Sequence, residues 1–209
     1  NWLEDVIRYR FNSYFDKPSK YNSIHEIEAP NLNLDNSKYA SFINGNSLNQ
    51  ASRLALIIAL TPHIRPQVLD SFFVKNSDFD RGFTEFGGVK GESHGGFIPT
   101  GETFIYLYAG LDIELRLAAQ NVFDGSHEFH KHKVLSLGKT RDYEPHLSGS
   151  LNVNPDYIDK FTIGEVKKPT FSSSFPATLV ETDITWDDLI LDQKSRDSVS
   201  HMLSWIEHN

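Results

Sequence analysis

The residues with the most chemical promise are Gly96-Phe97-Ile98-Pro99-Thr100-Gly101-Glu102-Thr103, which keep the glycine spacing of a Walker A loop but carry glutamate where that motif has lysine. In a phosphate loop the backbone N–H groups cradle the phosphates and the lysine reaches the β- and γ-phosphates, so a carboxylate at that place repels the ligand. A phosphate loop also follows a buried apolar strand, whereas this one follows Glu92-Ser93-His94-Gly95. The spacing therefore does not predict nucleotide chemistry here.

Other groupings compete. His127, His130 and His132 stand close together, but zinc needs three or four converging ligands. No thiol exists in the chain and Lys131 and Lys133 interleave the imidazoles, so the segment reads as a solvated helix-to-strand corner. Ser93-His94 beside Glu92 lacks the G-x-S-x-G elbow of a serine nucleophile. Asp78, Asp80, Glu85, Glu92 and Glu102 could supply a carboxylate pair, although acid–base chemistry depends on their separation rather than their number. Lys75, Arg81 and Lys90 lie among Phe72, Phe73, Phe79, Phe83 and Phe86. Cations among aromatics can bind bases or protein surfaces. Packing of most of those rings on the core, with Arg81 or Lys90 left as exposed contacts, is the expected arrangement.

The elements that must hold these residues follow from patterning. The 209 residues, 39 % hydrophobic with 15 phenylalanines, suffice for a real core. Absence of cysteine removes disulfides and thiolate chemistry and fits a cytoplasmic protein. A formal net charge of −8 argues against a broad nucleic-acid footprint. The longest apolar run, Leu54 to Leu60, is far too short for a membrane span. The first residue, Asn1, and a helical pattern from Ser195 to Asn209 that stops without a glycine cap suggest a piece of a longer polypeptide.

A first amphipathic helix is expected over Trp2 to Phe15, then an irregular connector with one short strand near His25 to Glu28. Ser47-Leu48-Asn49-Gln50 fits a capping box ahead of a buried helix from about Leu48 to Leu60, ended by Thr61-Pro62. Pro66 starts a second helix through Phe72 or Phe73, giving a helix-turn-helix-like pair. Seven glycines between Asp80 and Glu102 signal unusual backbone angles or close chain approaches. Thr100 or Gly101 as a cap favours a helix over Thr103 to Ala109, and another follows over Asp112 to Phe123. Lys133 to Leu137 and Gly149 to Val153 alternate as half-buried strands that could pair, and Asn154-Pro155-Asp156 opens a short helix through Phe161. A proline- and serine-rich run occupies Lys167 to Pro176.

The stretches LALIIALTPHIRPQVLDSFF (54–73), VKNSDFDRGFTEFGGVKGESHGGFIPTGET (74–103) and TWDDLILDQKSRDSVSHMLSWIEH (185–208) resemble the N-terminal region of bacterial AAA+ ATPases that place a variant winged-helix domain before the ATPase module. The resemblance covers roughly Asn49 onward and is most specific over Asp80 to Thr103. It implies an α+β, mostly helical, winged-helix-like core with a small antiparallel β-ribbon. It also implies three regions: an N-terminal helix and connector (1–45), a variant winged-helix-like domain (46–180), and a linker with the first helix leading into an AAA+ module (181–209). Some relatives are associated with contractile injection systems.

By this resemblance the chain is a non-catalytic partner- or substrate-recognition domain. ATP, magnesium, the true Walker A lysine, the Walker B acid and the arginine finger belong to sequence further on, and this stretch itself carries no cofactor. Arg81, Glu85, Lys90 and Glu102 are the expected partner contacts. Two other readings stand beside it: a nucleic-acid-binding winged helix, which the acidic charge and the poorly basic Pro66–Val74 segment oppose, and a stand-alone hydrolase using the glycine-rich loop.

Overall fold

Helical spacing of Leu3, Val6, Ile7 and Arg10 builds α1 (Trp2–Tyr14) and turns those four side chains inward. A computed structural model of the chain describes residues 2–166, 183, 185, 188 and 190–207. The chain divides into two compact units, Asn1–Lys167 and Lys168–Asn209. The architecture is α+β and mostly helical, with three two-stranded antiparallel ribbons among the described residues.

After α1, the segment expected as a strand near His25 to Glu28 is a 3₁₀ turn, Ile24–Glu26. Its carbonyls are claimed by side chains instead of a neighbouring strand. Gln50 Nε2 donates to Ile24 O and Ile27 O, and Trp2 Nε1 donates to Ile27 O at 3.1 Å. Ser37 then caps α2 (Lys38–Gly45), a helix that the asparagine-rich sequence had hidden. Because α2 ends in a left-handed turn with Ser47 at φ 49°, Ser47 cannot serve as the cap of the next helix. Asn49 does so, accepting from Ser52 N at 2.9 Å, and α3 runs Gln50–Ile64. Pro62 falls inside α3 near its end, where only one backbone bond is forfeited, so the helix passes the expected stop.

Pro66–Phe73 follows as a 3₁₀ helix with Leu69 and Phe72 buried. Next come β1 (Lys75–Asn76) paired with β2 (Arg81–Gly82), a 3₁₀ turn over Thr84–Phe86, and β3 (Val89–Lys90) paired with β4 (Phe97–Ile98). The expected helix is α4 (Gly101–Ala109), and α5 (Ile113–Ala119) continues into a 3₁₀ turn through Phe123. α6 (Glu128–Lys131) turns into β5 (Leu135–Leu137), which pairs with β6 (Leu151–Val153), and α7 (Pro155–Thr162) begins on Asn154. Leu151 N–H donates to Pro99 O and Gly101 N–H to Gly149 O, so the β3–β4 and β5–β6 ribbons join in one hydrogen-bonded strip.

One core unites these pieces. Leu3, Val6 and Ile7 of α1 lie with Leu54, Ile58 and Leu60 of α3, Phe104 and Leu107 of α4, and Leu151 and Val153 of β6. Arg10 crosses from α1 to donate through Nε to Leu107 O and through Nη2 to Tyr108 O, closing the carbonyl end of α4. Gly110, at φ +61°, leaves the room: a Cβ there would stand 2.3 Å from Arg10 Nη1.

In the second unit, α8 (Gln193–Glu207) starts on Asp192, whose carboxylate accepts from Ser195 N and Oγ. The run Lys167 to Pro176 and the 180/181 boundary lie outside the described residues, as do Trp186, Asp187 and Leu189.

Candidate functional site

The sequence from Gly87 to Thr103 builds the base of α4 and, with it, one wall of a groove. Thr100 caps α4: its Oγ1 accepts from Thr103 N while Thr103 Oγ1 accepts from Thr100 N at 3.0 Å. Both threonines are fully buried. Gly88 N–H also donates to Thr100 Oγ1 at 3.0 Å, and Gly101 N–H goes to Gly149 O. Two of the first-turn amides that a phosphate would use, those of Gly101 and Thr103, are thus engaged by the chain itself.

Gly87 shows why glycine is required. Its φ is +62°, and a Cβ would stand 2.4 Å from Thr100 Oγ1. The glycine pair lets the loop lie directly on the helix cap.

Against this base lies a groove of about 880 Å³. Phe83, Glu85 and Val89 form one part of its lining, Glu102 and Gln120 another, and Pro145, His146 and Leu147 a third. Of the four expected contacts, the fold brings Glu85 and Glu102 to this groove, while Arg81 and Lys90 are exposed on the neighbouring strands β2 and β3. Arg81 lies over the Phe79 ring, 5.5 Å from its centre.

The two carboxylates differ in their company. Glu102 is bound to Arg116 Nη2, and Arg116 Nη1 donates to Gly110 O, so this glutamate is spoken for within the fold. Glu85 accepts from the Tyr14 hydroxyl and makes no ion pair among the described residues. Burial of the Tyr14 ring, and then its bond to Glu85, push the phenol up to about 12, so the donor stays protonated at neutral pH. Tyr14 therefore fixes Glu85 without cancelling its charge.

Behind Glu85 the phenylalanines do pack on the core. Phe86 is buried at the centre of a group with Phe11, Tyr14, Phe72, Phe83 and Tyr106, all with ring centres within 6 Å of its own. Phe73 and Phe79 remain exposed.

The histidine corner has a structural use. His127 caps α6, its Nδ1 accepting from Phe129 N at 3.1 Å, and its Nε2 lies 2.9 Å from Ser52 Oγ on α3. A ring that accepts at Nδ1 carries its proton on Nε2 and donates it to the serine. The pair thus has the contact distance of a nucleophile and its base but the wrong tautomer for proton abstraction. Burial also holds the His127 pKa below the ordinary imidazole value. His132 reaches Glu128 at 3.4 Å, and His130 is exposed.

Sequence reading missed Pro145, His146 and Leu147 as groove residues, because nothing in a short loop's composition says which surface it will face. The Ser52–His127 tether was equally hidden, its partners lying 75 positions apart. A scan of the chain against family models, a search of curated proteins and a search of solved structures each found no match. No helix among the described residues is long and apolar enough to cross a membrane.

Proposed function

We propose that this chain is a protein-recognition module without chemistry of its own, attached to an AAA+ ATPase whose nucleotide site lies elsewhere in the polypeptide. The observation that carries the recognition part is the groove at the base of α4, apolar over much of its lining and furnished at Glu85 with a carboxylate held by Tyr14 and without an ion pair among the described residues. Clefts of this size, roughly 300–1,000 Å³ with a few placed polar groups, are the usual form of a binding site. The attachment to an AAA+ module rests on the sequence resemblance alone, as do the parent protein's ATP and magnesium, its bacterial origin and its cytoplasmic location.

The competing readings find less support. The second element of the helix-turn-helix-like pair, Pro66–Phe73, contains no lysine or arginine and buries Leu69 and Phe72, which leaves little to offer a DNA groove. For a hydrolase using the glycine-rich loop, the groove lining offers the carboxylates Glu85 and Glu102, and Glu102 is held by Arg116, which leaves no free pair there for acid–base work.

The test uses the chain together with the downstream sequence of its gene. Removing residues 1–166 is expected to leave basal ATP hydrolysis intact and to abolish its stimulation by a bound protein. Hydrolysis lost with that deletion, or ATP turned over by the isolated chain, overturns the assignment.

A further inference from the structure

We infer that the groove at the base of α4 takes an extended peptide presenting a lysine or arginine beside apolar side chains, with Glu85 as the residue that selects the cation. This deepens the recognition reading and rests on it.

Three features converge on that occupant. The first is charge. Of the two carboxylates in the lining, Glu102 is already neutralised by Arg116, whereas among the described residues Glu85 has the uncharged Tyr14 hydroxyl as its side-chain partner and no counter-ion. A cation from outside is the missing complement, since a carboxylate held by a neutral donor keeps both its charge and its remaining lone pairs. The chain's net charge of −8 favours approach of such a ligand.

The second feature is the apolar company of Glu85. Phe83, Val89, Pro145 and Leu147 share the groove with it. A free small amine would leave these surfaces wet, and a polybasic segment would bury none of its charge well. Alternation of apolar residues with a single cation satisfies both kinds of wall.

The third is the strand at the edge. Among the described residues β3 pairs with β4 alone, so its other edge has no strand partner, and Gly88 and Val89 at that strand line the groove. Side chains alternate across a strand, which turns Val89 toward one face and Lys90 toward the other. Lys90 thus does not occupy the place offered to the ligand's cation. An unpaired strand edge beside side-chain pockets is the arrangement by which extended peptides add to a sheet.

The experiment is selection of random peptides displayed on phage against the immobilised full chain, followed by fluorescence anisotropy of the enriched sequences. Wild type should enrich peptides with lysine or arginine flanked by apolar residues. Their affinity should fall about tenfold in Glu85→Lys, less in Glu85→Gln, and should weaken as salt is raised. Glu85→Gln can still accept from Tyr14, so it separates charge from folding, and circular dichroism melts check each variant. Val89→Ser, which changes no charge, should weaken the same peptides through the apolar wall. Enriched peptides that bind without a cation and ignore Glu85→Lys overturn this inference while leaving the groove as a recognition site. Enrichment of no peptide at all overturns the recognition reading, and this inference with it.

Discussion

At the scale of single residues, the fold divides the chemistry-bearing side chains into groups engaged within the chain and groups left open to a partner, Glu85 among the latter. Glu102 and His127 belong to the first kind. Because burial lowers the His127 pKa, the folded protein binds fewer protons than the unfolded chain between that lowered value and the ordinary value of 6.5. Its contribution is complete above the ordinary value and is lost as pH falls through the folded one. The thermal midpoint of wild type should therefore drop more between about pH 7 and about pH 5 than that of His127→Asn, whose side chain can cap α6 without titrating. Equal drops would show that His127 is not linked to folding. Tyr14 belongs with Glu85. In Glu85→Gln the phenol loses an anionic neighbour, so the absorbance titration assigned by comparison with Tyr14→Phe should move down from about 12. An unmoved titration would mean that burial alone sets it.

At the scale of elements, the base of α4 is the joint on which the groove depends. Thr100 Oγ1 serves two backbone amides, Thr103 N and Gly88 N. Thr100→Val keeps the shape and removes both acceptances, so a loss of about 1–3 kcal/mol is expected, the combined scale of a lost cap and a stranded amide. Gly87→Ala attacks the same joint sterically and should loosen the 84–96 loop, read as faster proteolysis there with α-helical circular dichroism largely kept. Proteolysis unchanged in both variants would mean that the loop is held by its phenylalanines alone. Legibility at this scale was uneven for a physical reason. The cap of α4 was readable because its residues are sequence neighbours, whereas α3 gained Asn49 as cap only because α2 ends in a turn at Ser47. The connector's strand failed similarly, its carbonyls being taken by Gln50 and Trp2 from distant helices.

At the scale of the whole molecule, α1 is part of the core rather than an appendage to it. Its Leu3, Val6 and Ile7 are buried with α3 and α4, and Arg10 is spent on the end of α4. Arg10→Met should cost about 2–3 kcal/mol by leaving two carbonyls without their charged donor, and deletion of residues 2–15 should abolish a cooperative melt. A sharp melt after that deletion would show that the remaining helices make a sufficient core by themselves. By itself the sequence determined the α+β, mostly helical character and the positions of α1, α4, α5, α7 and the β5–β6 ribbon, because periodicity and caps are local properties of neighbouring residues. Tertiary structure alone decided that Glu85 is left without a counter-ion among the described residues, that Arg116 takes Glu102, and that the 145–148 loop completes the groove, since each depends on which distant segments the core draws together.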